Sequence, residues 1–328
     1  MNEEKKFTFI EICAGAGGLS SGFINKNFIP ILLNDNDKNC CKTLEHNHNN
    51  INIIKGSFID IDFTKYNNID LLMGGVPCQS FSQAGKRKGL EDTRGNLFLE
   101  FIKKITILKP KTFLIENVKG LLSHDNGKTF DKLLQLLEDI KLYKIYYKVL
   151  NANDYGVAQK RERLFIIGVN LDIKKEFLFP EKNNIKLVLQ DILTDVPESK
   201  GYQYSENKKK IMELIPQGGC WINLPEDLQK IYMKKSYNSG GGKRGIARRL
   251  ALNAPSLTLT TSPCQKQTER CHPLETRPLN IREYARIQSF SDDYEFIGTI
   301  SQQYKQIGNA VPVKLAEKVA ESIKQVLS

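Results

Sequence analysis

Nowhere does this chain approach the roughly 18 consecutive apolar residues of a membrane span, so no membrane segment is expected. Its first residues, MNEEKKFTFIEI, run charges straight into a strand-like segment and lack the apolar core of a signal peptide. Together these absences predict a cytoplasmic protein. The cysteine count of seven is odd, which argues against a disulfide framework, and cytoplasmic thiols stay reduced. No Cys-x-x-Cys pair occurs. Cys264 and the adjacent Cys271 and His272 have poor spacing for zinc, so no metal is expected. Internal repeats and low-complexity tracts are missing as well.

What is present suffices for a folded core, since 40% of the 328 residues are hydrophobic. Lys and Arg number 48 against 37 Asp and Glu, a formal net charge of +11. That surplus favours an anionic partner but is too thinly spread to form a polybasic arm. It is also uneven: residues 181–280 carry 16 basic and 10 acidic side chains, the other 228 residues 32 and 27. Such a stretch reads either as a solvated, loop-rich surface or as a nucleic-acid contact surface. Composition alone does not choose.

Over the first 170 residues, short apolar runs alternate with helical patterns. Strands are expected at Phe7–Cys13, Pro30–Asn34, Ile51–Lys55, Ile69–Met73, Thr112–Ile115, Tyr143–Leu150 and Leu164–Val169. Helical spacing marks a segment beginning near Leu19, then Lys38–His46, Leu97–Leu108 and Phe130–Ile140. This alternation predicts a doubly wound α/β sheet. From about Phe179 the pattern breaks into Lys, Asn, Pro and Gly, which predicts a smaller, irregular domain over 181–303. Clean amphipathicity returns at Val313–Leu327. The larger domain is therefore read as 1–180 plus 304–328.

Glu11-Ile-Cys-Ala-Gly-Ala-Gly-Gly-Leu19 sets three glycines between a strand and a helix, where the backbone turns sharply and approaches a ligand closely. Asp35 follows 18 residues after Gly17, at the expected end of the second strand, placed to accept from both hydroxyls of a ribose. The pair suggests a nucleoside-containing cofactor. It is not the dinucleotide fingerprint, because Ser20 takes the last glycine position. A purely structural turn remains the alternative for these glycines. Glu11 is an unusual acid within a strand, in reach of the amino-acid part of a ligand such as S-adenosylmethionine.

Gly74-Gly-Val-Pro-Cys-Gln-Ser-Phe-Ser82 follows another strand. Cys78, after Pro77 at a strand's C-terminal end, reads as a nucleophile or as an inert buried thiol. Glu116-Asn-Val118 ends the next strand, so Glu116 is expected to share its crevice. In Gln159-Lys-Arg-Glu-Arg163, alternate residues Gln159, Arg161 and Arg163 are expected on one face, bringing two guanidiniums to the crevice. An ion-paired surface turn is the alternative.

In order, these pieces resemble the DNA cytosine-5 methyltransferase family over nearly the whole chain. Gly15–Gly18 resembles its cofactor motif, Pro77-Cys78-Gln79 its nucleophile motif, Glu116-Asn117-Val118 its acid motif and Gln159–Arg163 its third active-site motif. Arg94-Gly-Asn-Leu-Phe98, Arg282-Glu-Tyr-Ala-Arg-Ile-Gln288 and Gln306-Ile-Gly-Asn-Ala-Val-Pro312 resemble three further motifs. The resemblance implies a Rossmann-like methyltransferase domain and a smaller target-recognition domain. It implies S-adenosyl-L-methionine as cofactor, S-adenosyl-L-homocysteine as product, and methylation at C5 of a flipped-out cytosine through a covalent adduct at C6.

By the same resemblance Cys78 is the nucleophile and Glu116 the acid, with Gln159, Arg161 and Arg163 completing the catalytic set. Glu11, Ala14, Gly15, Gly17, Gly18, Leu19, Asp35, Asn36, Ser57, Phe58, Pro77, Asn309 and Ala310 are implied to hold the cofactor. Gln79, Ser82, Lys86 and Arg87, on a loop over 79–95, are implied to meet the DNA. Arg248, Arg249, Lys266, Gln267 and Arg270, in the basic segment, are the candidates for reading it across a cleft from Cys78. The helix Val313–Leu327 is expected to pack back on the α/β domain, with Asn309 beside the cofactor loop. The implied setting is bacterial restriction–modification: a monomer on double-stranded DNA, cytoplasmic and nucleoid-associated, with a cognate restriction endonuclease acting separately.

The chain departs from the family's habit at Glu11 (usually Asp), Cys13 (usually aromatic), Asp35 and Asn36 (often Glu and a bulky residue) and Ser57 (often Asp). Three rival readings stand beside this one, among them a catalytically inactive DNA-binding relative, against which every catalytic motif position is occupied. A nicotinamide-dependent thiol oxidoreductase would need the missing GxGxxG, and a tRNA cytosine methyltransferase the absent Cys-Phe-Thr tripeptide.

Overall fold

The computed structural model describes residues 5–77, 97–238 and 245–328. The chain divides into two compact units. The first comprises residues through Asn151, Glu162–Lys182 and Val313–Ser328; the second comprises Ala152–Arg161 and Asn183–Pro312. Among the described residues no helix is long and apolar enough to cross a membrane.

The first unit is built on a seven-stranded sheet. Its strands are β1 (Phe7–Ile12), β2 (Phe28–Asp35), β3 (Ile53–Lys55), β4 (Leu71–Gly74), β5 (Thr112–Val118), β6 (Tyr143–Asn151) and β8 (Glu162–Asn170), in spatial order β3-β2-β1-β4-β5-β8-β6. β1 to β5 run parallel, and β8 lies between β5 and β6, antiparallel to both. The central strands are apolar end to end because both faces are covered: Phe9, Ile10, Leu72, Met73, Ile166 and Ile167 are fully buried.

Helices cover this sheet: α1 (Gly18–Ile24), α2 (Lys38–Asn47), α3 (Leu97–Leu108), α4 (Lys128–Glu138) and α9 (Val313–Leu327). α3 and α4 bury Phe98, Phe101, Ile105 and Leu133 in one cluster with Ile10, Leu72, Ile115 and Leu164. α9 repeats apolar residues at Leu315, Val319, Ile323 and Val326, the period of one helical face. That helix closes onto α1. A Cβ at Gly22 would lie 2.4 Å from the Ala316 Cβ and 2.7 Å from the Val313 carbonyl oxygen. Asn25 Nδ2 donates to Glu317 Oε1 at 2.7 Å, and Lys26 pairs with Glu321 at 2.7 Å.

The second unit is less regular. It contains the two-residue strands β7 (Gln159–Lys160) and β9 (Ser256–Leu257), paired with each other. Its helices include α5 (Glu206–Glu213), α6 (Glu226–Met233), α7 (Ile281–Ile287) and α8 (Ile300–Asn309). Met212, Ile215, Trp221, Met233, Ile246 and Cys271 form its own apolar cluster. Capping boxes start α7 (Asn280 with Glu283) and α8 (Thr299 with Gln302).

Two stretches that the sequence reading assigns to the larger domain, 152–161 and 304–312, group with the second unit. The reason is pairing. Gln159 and Lys160 ladder with Ser256 and Leu257, Tyr304 OH donates to the Leu279 carbonyl at 2.7 Å, and Gln288 Nε2 donates to the Ile307 carbonyl at 2.7 Å.

The α1–α9 contact yields a prediction with two opposing terms. Replacing a helical glycine by alanine gains about 1 kcal/mol of helix propensity. Overpacking a filled contact costs about 1–3 kcal/mol. With backbone and a methyl group both inside 3 Å of the new Cβ, overpacking wins, and Gly22→Ala is expected to lower the melting temperature. Thermal denaturation followed by circular dichroism checks the sign.

Candidate functional site

β1 sits between β2 and β4, so the strand order reverses at this point. In open α/β sheets, ligands bind outside the carboxyl ends of the strands at such a reversal. Two segments leave the sheet there: the turn after β1, and Gly75, Val76 and Pro77 after β4.

The turn after β1 is wound through left-handed backbone at Cys13 (φ 54), Gly15 (φ 56) and Gly17 (φ 82). At Gly15 the backbone angle, not crowding, demands glycine, since a Cβ would meet nothing within 4 Å. The Gly15 N–H donates to Asp35 Oδ2 at 2.8 Å, and the Asp37 N–H to Asp35 Oδ1 at 2.8 Å. Each carboxylate oxygen keeps a further lone pair for a ligand. Burial raises the Asp35 carboxyl, while these backbone donors pull it back down. Ala14, Gly17, Gly18 and Leu19 are buried, and Asn36 is exposed. Ser57 Oγ accepts from the Ile59 N–H and caps a short turn that buries Phe58. Pro77 is exposed.

Glu11 is 1% exposed, and its Oε2 finds no hydrogen-bond partner among the described residues. Burial pushes its carboxyl up to about 8; hydrogen bonds from Ser20 oppose the rise, and the charges of Asp35 and Glu116 add to it. Burial likewise pushes the Cys13 thiol up to about 12, with Asp35 and Glu11 contributing, which leaves it inert.

Glu116 on β5 stands opposite Phe165 on β8, two residues from Arg163 and on the same face. Arg163 Nε therefore meets Glu116 Oε1 at 2.9 Å, both side chains being 13% exposed. Oε2 turns toward the segment after β4, 3.3 Å from where a Gly75 Cβ would sit. The neighbouring Asn117, buried, donates from Nδ2 to the Val76 carbonyl at 2.9 Å and accepts the Val118 N–H at 2.9 Å. Asn117 is thus the clamp on the chain approaching residue 78. Its place in Glu116-Asn117-Val118 was the only sequence signal for it; its partner was not legible.

Of Gln159, Arg161 and Arg163, expected on one face, the first two belong to the second unit and Arg163 to the first, the chain passing from one to the other between Arg161 and Glu162. Gln159 is fully buried in the second unit, donating to Gln288 Oε1 at 2.8 Å and accepting the Leu259 N–H at 2.9 Å. Arg161, 1% exposed, donates to the carbonyls of Leu259 (3.0 Å) and Gly308 (2.9 Å). Gln288 also donates to the Ala310 carbonyl at 3.1 Å. These side chains staple three motif segments of the second unit together. Asn309 ends α8 and is exposed; Ala310 follows it and is buried.

Two of the basic candidates for DNA also require correction. Arg249, 5% exposed, is engaged by the carbonyls of Ile215, Met212, His272 and Glu275 and by Thr276 Oγ1. Arg270, 4% exposed, donates to the carbonyls of Glu269 and Thr258, and burial pushes its guanidinium down to about 10. Both hold loops together instead of reaching outward. Arg248 is half-buried with Nη1 on the Gly218 carbonyl at 2.6 Å, whereas Lys266 and Gln267 are exposed. His272, Glu275 and Glu283 cluster closely enough to hold a cation. Arg277, however, already bridges both carboxylates, at 2.8 and 2.7 Å. Cys78, Gln79, Ser82, Lys86 and Arg87 lie outside the described residues.

A family profile for C-5 cytosine-specific DNA methylases matches residues 7–325. The Type II methyltransferase M.Eco47II of Escherichia coli is 48% identical over 331 residues, spanning 98% of this chain and 79% of its own. M.Sau96I of Staphylococcus aureus, also a Type II methyltransferase, is 49% identical over 340 residues, spanning 100% and 78%. The structure of a DNMT2 variant from Spodoptera frugiperda superposes with a TM-score of 0.70 at 15% identity, covering 97% of this chain and 99% of that one. That last likeness is one of fold.

The buried state of Glu11 is testable without a ligand. Its carboxyl stays protonated in the folded chain up to about pH 8, while the unfolded chain ionises near the ordinary value of about 4.3. Between those limits the unfolded state binds fewer protons, so stability falls as pH rises. Glu11→Gln removes this fall. Melting temperatures of wild type minus variant, taken from pH 4 to 9, are expected to decline across that window; a flat difference contradicts the assignment.

Proposed function

The chain belongs to the C-5 cytosine-specific DNA methylase family and is a DNA cytosine-5 methyltransferase, and from that premise we propose that it methylates one cytosine of a short duplex site through a covalent Cys78–C6 adduct. The observation that carries this reading is the pairing at the reversal of strand order. Arg163 holds one oxygen of Glu116, the other faces Gly75, and Asn117 grips Val76 on the way to Cys78.

S-adenosyl-L-methionine, when bound, supplies a methyl group on a sulfonium centre. The residues present fit such a ligand. Glu11 presents a buried carboxyl oxygen that finds no partner among the described residues, suited to an amino group, and Asp35 retains acceptor capacity for ribose hydroxyls. The turn from Ala14 to Leu19, Asn36, Ser57, Phe58 and Pro77 would complete this set, with Asn309 and Ala310 carried over from the motif resemblance.

Cytosine C5 is too electron-poor to accept a methyl group directly. The Cys78 thiolate adds at C6, and its electron pair passes through the ring to make C5 nucleophilic. Glu116 hydrogen-bonds or protonates N3 and drains charge from the ring as the bond forms. After C5 takes the methyl group, a water-borne base removes the C5 proton, and the C6–S bond breaks to return the thiolate. Stacking shields C6 within a duplex, so the base is flipped out at a cost of a few kcal/mol. Gln79, Ser82, Lys86 and Arg87 serve that step on the DNA side.

Lys266, Gln267 and Arg248 are the side chains we assign to DNA contact in the second unit. Arg249, Arg270, Gln159 and Arg161 position the loops around them. On this reading the enzyme acts as a monomer of the restriction–modification kind, with any cognate endonuclease acting separately. A duplex-DNA substrate puts its work in the cytoplasm, at the nucleoid.

The decisive experiment uses duplex DNA carrying 5-fluorocytosine, whose C5 has no removable proton after methyl transfer. A covalent protein–DNA species is expected with the wild type and none with Cys78→Ser, and Glu116→Gln is expected to lower kcat by about 10²–10⁴-fold with cofactor binding retained. Absence of any trapped species at a site whose unsubstituted cytosine the enzyme methylates would overturn the mechanism.

A further inference from the structure

The second unit presents a short loop over residues 261–268 whose tip, Cys264 to Gln267, is exposed. The loop is closed at its base. The Arg270 N–H donates to the Pro263 carbonyl at 2.9 Å, Thr260 and Thr268 hydroxyls meet at 3.0 Å, and Arg270 Nη2 donates to the Thr258 carbonyl at 2.6 Å. Gln265 Nε2 donates to Thr261 Oγ1 at 3.1 Å across the tip. Gly245 packs so closely that a Cβ there would lie 2.0 Å from the Gln267 carbonyl oxygen.

Directly beneath this closure lies Glu269, 1% exposed. Its Oε2 pairs with Lys208 Nζ of α5 at 2.8 Å. Lys208 also donates to the Tyr232 hydroxyl of α6, and its ammonium stands over the Tyr232 ring at 4.7 Å and the Tyr204 ring at 5.8 Å. One ammonium thus ties two helices to the residue that follows the loop. The Glu269 N–H, donating to the Gly245 carbonyl at 3.1 Å, adds the strand of chain on the loop's other side.

Such a pair is a poor way to gain stability. Removing two charges from water costs nearly as much as their attraction returns, and apolar replacements of similar volume are often as stable. In some proteins a buried polar contact instead fixes the register of the segments that carry it. We propose that the Lys208–Glu269 pair is a positioning device that sets the register of loop 261–268 and thereby the base preference of the enzyme. This rests on the reading of the chain as a site-specific DNA methyltransferase whose second unit contacts DNA. Lys208 and Glu269 touch no base; they act through Lys266 and Gln267, whose reach into a groove depends on where the loop base is held.

The test is methylation profiling over a library of duplexes with a randomised site, scored as kcat/KM for the preferred site over its single-base variants. The wild type comes first. If it methylates every site alike, or none, the functional reading itself fails and the inference falls with it. If it is selective, Lys208→Met with Glu269→Gln, which removes both charges together, is expected to cut the ratio at one or two base positions by roughly tenfold, the scale of one mismatched base pair. Affinity for S-adenosyl-homocysteine, measured by calorimetry, is expected to stay at the wild-type value. Lys208→Arg keeps the charge and is expected to keep most of the selectivity. A double variant that loses activity equally on all sites, or holds the wild-type ratio, overturns the proposal. Should the double variant not fold, Glu269→Asp decides: it shortens the arm and keeps the charge, so a lowered ratio supports the positioning role and an unchanged one refutes it.

Discussion

The parallel pairing of β1 with strands on both sides is the constraint on which the first unit depends. Ile12 is in register with Asn34 on one side and Gly74 on the other. The approach is close enough that a Cβ at Gly74 would lie 2.6 Å from the Ile12 carbonyl oxygen. Because the chain order reverses here, the segments leaving β1 and β4 diverge and leave room at the strand ends. Everything assigned to chemistry in this unit is hung from that edge. Asp35 ends β2, the glycine turn follows β1, the approach to Cys78 follows β4, and Glu116 lies near the end of β5.

Three carboxyl groups share this edge, and each is managed by different physics. Glu11 has an oxygen that finds no partner among the described residues, and burial favours its neutral form. Asp35 is held by two backbone N–H groups, which fix its orientation while leaving lone pairs available. Glu116 is paired with a guanidinium from the adjacent antiparallel strand. The antiparallel β8 is what makes that third solution possible: it delivers Arg163 beside Val118, where a further parallel strand would have needed a long crossover. In the second unit, buried guanidiniums do the opposite task. Arg161, Arg249 and Arg270 gather carbonyls from segments that lack regular structure, replacing the hydrogen bonds that a sheet would have supplied.

Much of the first unit was legible in the sequence because its elements have a strong period. Leu97–Leu108 and Val313–Leu327 are amphipathic helices whose bounds match the apolar repeat, and the buried strands are continuous apolar runs. Strand direction was not legible: Leu164–Val169 reads the same whether it runs parallel or antiparallel. Nor was the partner of any buried polar side chain. Arg249 and Arg270 look like surface charge in a basic segment, and only the folded chain shows carbonyls from Met212, Ile215 and Glu275 converging on Arg249. Lys208 and Glu269 stand far apart in sequence, and no local pattern joins them. The passage from one unit to the other between Arg161 and Glu162 was hidden because Gln159–Arg163 reads as one continuous strand approach.

The central claim is that this fold directs methylation to C5 of cytosine at one short duplex sequence. Bisulfite sequencing of the DNA of a methylation-free host expressing the chain measures this directly. The account predicts protected cytosines confined to a single recurring short motif, absent from cells expressing Cys78→Ser. Protection scattered without a motif, or none in cells shown to contain folded protein, would contradict it.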